Sequence, residues 1–137
     1  MHDATVDQGN PRDEYLDASS NVRHWSTLRF AQLTIYIALT AGLLNVLLGR
    51  GAPPTGRTAI AIELAGLLTT LVYWVLQERT MLYWYSFVRR AAELEARLGF
   101  RQYSSRPRSG PFSSSNAMRA LFLVMLLFWT ASLVDLV

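Results

Sequence analysis

Hydrophobic residues fall into three long runs that short polar segments separate. The runs cover residues 30–49, 58–77 and 119–136. Each approaches the roughly 20 apolar residues that a helix needs to cross the ~30 Å hydrocarbon core of a bilayer. The pattern predicts an all-α membrane protein with three transmembrane helices.

The remaining segments predict one membrane domain with a short tail. Residues 1–20 hold five acidic side chains and no apolar core, which is typical of a mobile acidic tail. Too little chain remains outside the runs for a separate soluble core, so residues 21–137 are expected to form a single helical membrane domain. Residues 78–98 contain neither Pro nor Gly. The second helix is therefore predicted to continue as a long cytoplasmic helix, and residues 78–118 to form this stalk and an irregular connection.

The distribution of arginine predicts the orientation in the membrane. Three of the 13 basic residues, all arginine, precede the first run, eight lie in residues 78–119, and two lie in the hairpin loop over residues 50–57. Basic residues are enriched on the cytoplasmic side of membrane proteins. We therefore expect a multi-pass inner-membrane protein with a cytoplasmic N-terminus and an external C-terminus.

Two runs carry small and polar residues at helical spacing. The first-span stripe consists of Ala31, Thr34, Ala38, Gly42, Asn45 and Gly49. The second-span stripe consists of Ala59, Glu63, Gly66, Thr70, Tyr73 and Gln77. The third run lacks such a stripe and is expected to face lipid. Stripes of this kind form helix contacts or line a water-filled path, and both interpretations stay open here.

Glu63 is the one charged residue in the first two runs. An acid at membrane depth is costly and usually functional. One hypothesis is that several copies place Glu63 in a ring of carboxylates around a pore that favours cations. Asn45, Thr70, Gln77 and Thr34 are the further pore or polar-layer candidates. The structural alternative is that Glu63 bonds Asn45, which lies at a similar depth, or Thr130, and only holds helices together.

The segment between the second and third runs offers a basic surface. The candidates for binding a phosphate-bearing ligand or anionic lipid head groups are Arg89, Arg90, Arg101, Arg106 and Arg108. No aromatic stacking platform or phosphate-binding loop accompanies them, so nucleic acid is not expected as a partner. The chain has no Cys and no pairing of a nucleophile with a base. We therefore expect no enzyme, no metal site and no cofactor.

The entry to the first run carries Trp25, Leu28, Arg29 and Gln32. It leads into a span, a tight hairpin and a second span that continues as a long helix. This architecture resembles the SLATT-type small membrane effectors of prokaryotic conflict and defence systems. The resemblance implies a homo-oligomeric pore that permeabilises the inner membrane when a cytoplasmic sensor protein or nucleotide signal triggers it. Two features differ from that pattern: this chain has a third span, and it carries no fused nucleotide-sensing domain.

The leading hypothesis is a homo-oligomeric inner-membrane channel or pore-forming effector that is gated from the cytoplasmic side, with a cation preference if Glu63 faces the pore. One alternative is a non-conducting membrane adaptor that docks a cytoplasmic partner through its Arg-rich segment. Another is a small transporter subunit. Membrane lipid is a partner in all three.

Overall fold

The computed structural model describes residues 10–49, 51, 54–105 and 113–136, and its regular structure over these ranges is entirely helical. Helix α1 covers Pro11–Leu48, α2 covers Arg57–Leu98 and α3 covers Ser114–Leu136. All three helices are long and apolar enough to cross a membrane. The predicted all-α fold with three candidate transmembrane helices is confirmed at this level.

Local capping signals fix the start of α1. The side-chain Oδ1 of Asn10 accepts a hydrogen bond from the Arg12 backbone N–H at 3.0 Å, and Pro11 takes the first helical position. Two acidic residues in the first turn oppose the positive end of the helix dipole. Residues 11–20, which the sequence assigns to a mobile tail, form the start of α1, while residues 1–9 lie outside the described residues.

Glycine backbone conformations mark both ends of α2. Gly56 and Gly99 have φ angles of 56° and 76°, a region that side chains with a Cβ rarely adopt. The Gly99 N–H donates to the Glu95 carbonyl at 2.9 Å, which closes the last turn. The prediction that the second helix continues through residue 98 is confirmed. At the start of α3, the Ser113 hydroxyl accepts the Asn116 N–H at 3.3 Å.

The described residues form two compact units, whereas the sequence predicts one domain over residues 21–137. Unit 1 contains residues 10–27 and 81–105, and unit 2 contains residues 28–49, 51, 54–80 and 113–136. Each unit has its own packed interior.

Unit 1 is held by a small apolar cluster. Tyr15 and Ala18 of α1 pack against Ala91 and Leu94 of α2. Two small alanines let the helix backbones approach closely, and the larger side chains fill the space beside them. A stacked pair, Trp25 and Tyr83, with ring centroids 4.9 Å apart, extends this packing.

A buried carboxylate fastens the end of unit 1. Glu95 accepts hydrogen bonds from the backbone N–H groups of Tyr103 and Ser104, both at 2.8 Å, and from the Tyr15 hydroxyl at 3.3 Å. Glu95 lies 18 residues beyond the predicted end of the second span at Gln77. Burial favours the neutral acid, but the two backbone donors outweigh it and hold the pKa of Glu95 below its ordinary value.

Unit 2 is a packing of all three helices. Its apolar cluster joins Tyr36 of α1 to Met118 and Phe122 of α3, and Trp129 is completely buried. The opposite side of α3 is open, with Leu127 70% exposed. The expectation that the third helix faces lipid therefore cannot apply to the side of α3 that packs inside unit 2. Large exposed apolar side chains on every helix are typical of a protein whose outer faces contact lipid.

Candidate functional site

The second-span stripe lies inside unit 2. Five of its six members are buried, and Tyr73 is half-buried. Small residues let α1 and α3 approach α2 along this face. Thr70 and Glu63 form hydrogen bonds there, whereas Gln77 Nε2 is buried without a hydrogen-bond partner. Within one chain the stripe is therefore a helix-packing surface, and Glu63, Thr70 and Gln77 are components of a polar interior.

Glu63 is bound by a residue that the sequence did not single out. The carboxyl group is 1% exposed, and the Ser132 hydroxyl of α3 donates to its Oε1 at 2.5 Å. Its other oxygen, Oε2, is buried and has no hydrogen-bond partner. The Glu63 carboxyl thus links α2 to α3 through one of its two oxygens.

Neither partner expected for Glu63 is used. The Asn45 side chain is exposed, and the single hydrogen bond of the Glu63 carboxyl goes to Ser132. The Thr130 hydroxyl donates to the Leu126 carbonyl of its own helix at 2.7 Å. Glu63 thus bonds within its own chain, as the structural alternative expects, but its partner is Ser132 rather than Asn45 or Thr130. The partner differs because α3 rather than α1 packs over this part of α2.

Trp129 lies directly against Gly66, one turn along α2 from Glu63. A Cβ built on Gly66 would lie 2.4 Å from Cε2 of the Trp129 ring. Glycine is therefore the residue that allows the indole to lie flush against the α2 backbone. The indole Nε1 is also buried without a hydrogen-bond partner, so two unsatisfied polar atoms occupy neighbouring turns of this contact.

Thr70 connects α2 to α1 in the middle of unit 2. Its hydroxyl donates to the Gly66 carbonyl at 2.8 Å and lies 3.3 Å from the Tyr36 hydroxyl. Since a hydroxyl has one proton and that proton serves Gly66, Tyr36 is the donor in the second bond. Both side chains are buried. In the described part of unit 2, this is the one hydrogen bond between hydroxyl groups of α1 and α2.

Polar contacts also mark the other end of the unit 2 interior. Gln77 is buried, and the Thr80 hydroxyl, which donates to the Leu76 carbonyl at 2.8 Å, lies 3.1 Å from the Gln32 side-chain amide of α1. Arg119 of α3 forms two hydrogen bonds of 2.7 Å with the two oxygens of Glu78. This planar pairing joins α2 to α3 next to the predicted end of the second span.

The first-span stripe has the opposite location. Thr34, Ala38, Gly42 and Asn45 are all exposed, and a Cβ on Gly42 would meet no atom within 4 Å. The buried residues of α1 nearest to Ala38 are Tyr36 and Thr40, which at 100° per residue each lie about 160° around the helix. The first-span stripe thus points away from the interior of its own chain.

The arginine candidates are only partly described. Arg89 is 84% exposed and pairs with Glu93 at 3.2 Å, whereas Arg90 pairs with both Glu93 and Glu14. Arg101 is exposed, and Arg106 and Arg108 lie outside the described residues. Arg90 is therefore committed to contacts within unit 1, while Arg89 and Arg101 present their charge outward.

Sequence reasoning missed the α3 contribution to the site. The packed side of α3 consists of residues at helical spacing, namely Met118, Phe122, Trp129 and Ser132. In the sequence this spacing gives no signal, because almost all residues around them are also apolar.

In the described ranges, no group of three His, Cys, Asp or Glu side chains is placed to hold a metal ion. No family model matches the chain, and no curated protein or solved structure matches it.

Proposed function

We propose that this chain is the subunit of a homo-oligomeric pore in the inner membrane, with its N-terminus in the cytoplasm and its C-terminus outside. Copies assemble so that the first-span stripe lines the water-filled path, while the interior of unit 2 braces each subunit from behind. Opening is controlled from the cytoplasmic side by a sensor protein or nucleotide signal, as the resemblance to SLATT-type effectors implies.

The outward position of the first-span stripe supports this proposal. Asn45 and Thr34 are polar residues exposed on a helix whose other outward residues are mostly large and apolar. A polar amide that contacts hydrocarbon loses its hydrogen bonds to water, so a bilayer favours any arrangement in which other copies or water cover it. In a ring of α1 helices, the neighbouring copies and the water of the central path would both cover these polar side chains.

A ring of Glu63 carboxylates is not part of the proposal. Glu63 is buried between α2 and α3 of one chain and contributes no charge to the first-span stripe. The described part of that stripe carries no ionisable side chain. We therefore expect weak discrimination between cations and anions, and Glu63→Gln to leave ion selectivity unchanged.

Cysteine crosslinking combined with ion flux tests the assembly. The chain has no cysteine, so each single-cysteine variant has one reactive site. Gly42→Cys is expected to form disulfide-linked dimers in liposomes under mild oxidation, and the same preparation is expected to release trapped ions. Leu127→Cys, which is also exposed but lies on α3, is the matched control and should stay monomeric. Flux that is absent from liposomes under every added signal would contradict the pore.

The exposed arginines of unit 1 favour a second candidate, a non-conducting adaptor that docks an acidic cytoplasmic partner. Arg97 and Arg101 are exposed, like Arg89, and have no salt bridge in the described residues. The adaptor predicts that the double charge reversal of Arg97 and Arg101 abolishes function in cells while Asn45→Leu is tolerated. The pore predicts that Asn45→Leu reduces flux in liposomes that contain no other protein.

A further inference from the structure

An apolar groove runs along the seam between α1 and α3 in unit 2. It encloses about 200 Å³, and its lining includes Ile37, Ala41 and Leu44 of α1 with Leu121 and Met125 of α3. Tyr36 and Thr40 form its floor and are buried. The groove opens on the outer face of the bundle, where a protein in a bilayer meets acyl chains.

An arginine lies at one end of the same seam. The Nη2 group of Arg29 lies 3.4 Å from the Ser114 hydroxyl and 3.3 Å from the Met118 sulfur. Ser114, Leu121 and Met125 are spaced at seven and four residues, which places them along one edge of α3. The arginine and the groove are therefore successive parts of one continuous surface.

The separation of the two parts matches a lipid. Arg29 directly precedes the first predicted span, so it lies at the level of the head groups. Ile37 and Leu44 are 8 and 15 residues further along α1, which is about 12 and 22 Å at 1.5 Å per residue. One leaflet of hydrocarbon is about 15 Å thick, half of the ~30 Å core. An acyl chain whose phosphate contacts Arg29 thus ends inside the groove.

The charge at the head-group end selects the chemistry of the lipid. A guanidinium stays ionised and carries its N–H donors in a planar fork that matches the oxygens of a phosphate. Arg119 also belongs to this end of α3, although Glu78 holds it with two hydrogen bonds. The local field attracts a phosphate whose head group brings no compensating positive charge.

We infer that the α1–α3 seam is a binding site for an anionic phospholipid, which places its phosphate against Arg29 and one acyl chain in the groove beside Leu121 and Met125. The inference uses the predicted membrane insertion that the proposed pore also needs, but it does not depend on conduction. A lipid bound here contacts both α1 and α3 and therefore stabilises their packing.

Native mass spectrometry of the detergent-solubilised protein tests the site. The full chain is incubated with equal amounts of phosphatidylglycerol and phosphatidylcholine that have identical acyl chains. The wild type is expected to retain phosphatidylglycerol preferentially. Arg29→Gln is expected to lower that retention about tenfold, the effect of losing a charge-assisted hydrogen bond. Arg79→Gln, which removes an exposed arginine of the same unit, is the control and should change little.

The groove is tested separately from the charge. Leu121→Trp fills the groove and should reduce retention as strongly as Arg29→Gln, whereas Val124→Trp on the exposed face of α3 should not. Arg29→Lys keeps the charge without the fork, and an intermediate loss is expected; it also provides the charge test if Arg29→Gln does not fold. Soluble glycerol phosphate should not compete with the lipid.

Three results would overturn the inference. They are equal retention of both lipids by the wild type, retention unaffected by Leu121→Trp, and displacement of the lipid by glycerol phosphate. Because lipid retention is read from solubilised protein, ion flux can be absent while the lipid site is present, and the reverse also holds.

Discussion

At the residue scale, the carboxyl of Glu63 depends on a hydroxyl from another helix. Ser132 donates to one oxygen, and the second oxygen is buried without a partner. A half-satisfied buried group costs more free energy when its remaining hydrogen bond is removed, because the interior offers no water to replace it. The contact between α2 and α3 should therefore be sensitive to the loss of a single oxygen atom.

Removal of the Ser132 hydroxyl tests this dependence. We expect Ser132→Ala to lower the free energy of unfolding by about 1–3 kcal/mol, the cost of leaving a buried polar group unsatisfied. Thr130→Ala is the matched control, since the Thr130 hydroxyl bonds only its own helix, and it should change stability by less than about 0.5 kcal/mol. Denaturant titration in detergent, followed by circular dichroism, measures both. Equal effects of the two variants would contradict the proposed role of the bond.

Glycines 66 and 42 are a matched pair with opposite environments. A methyl group on Gly66 would overlap the Trp129 ring, so we expect Gly66→Ala to destabilise the fold by about 1–3 kcal/mol, as overpacking does. A methyl group on Gly42 meets no atom of the chain, and alanine is the better helix former, so Gly42→Ala should be neutral or slightly stabilising in the solubilised protein. The same titration gives both values. Trp129→Phe should relieve part of the Gly66→Ala defect if the ring causes it.

At the element scale, the N-terminal part of α1 is held by a few short-range contacts in unit 1. Tyr15 and Ala18 bury one face against α2, and Glu95 gathers Tyr15 together with the turn that follows α2. A short amphipathic segment of this kind gains most of its helix stability from tertiary packing rather than from propensity. Loss of the Glu95 contacts should therefore loosen the whole N-terminal segment.

Substitution of Glu95 tests how this segment is held. Glu95→Ala leaves two part-buried backbone N–H groups and the Tyr15 hydroxyl without this acceptor, and we expect a loss of about 2–4 kcal/mol in the stability of unit 1. Glu93→Ala removes an exposed carboxylate two residues away and should cost less than about 1 kcal/mol. Limited proteolysis near Pro11 reports on the segment. Similar cleavage rates in the two variants would show that Glu95 does not hold it.

The same carboxylate makes unit 1 sensitive to acid. Because the pKa of Glu95 is lower in the folded chain than in the unfolded one, its stabilisation is complete above the ordinary value of 4.5 and is lost as the pH falls through the folded pKa. We expect the stability difference between wild type and Glu95→Gln to shrink between about pH 6 and about pH 3. Unfolding midpoints at several pH values check this. A difference that grows on acidification would contradict the direction of the shift.

The sequence predicts some of these elements well and others poorly, for physical reasons. Length, hydropathy and a terminal glycine define α2 through Leu98, because those signals are local. The start of α1 was missed because the Asn10–Pro11 cap lies in an acidic stretch with few apolar residues. The packed face of α3 was hidden because hydrocarbon and a helix interface both favour apolar side chains, so hydropathy cannot separate Trp129 from Leu127.

At the scale of the whole molecule, the two stripes have opposite roles. The second-span stripe is buried in helix contacts inside unit 2, and the first-span stripe lies on the outer face of α1. The sequence predicts both stripes but not which one faces outward, since that depends on where the third helix packs. The central claim is that copies of the chain cover the first-span stripe around a water-filled path.

Thiol modification during ion flux tests that claim most directly. Asn45→Cys is reconstituted in liposomes and treated with a charged, membrane-impermeant thiol reagent, with Val46→Cys as the neighbouring control, since Val46 is 58% exposed beside the stripe. We expect modification of Asn45→Cys to reduce ion flux to near the protein-free rate, while Val46→Cys stays unmodified and unaffected. Flux that persists after complete labelling of Asn45→Cys would contradict a path lined by the first-span stripe.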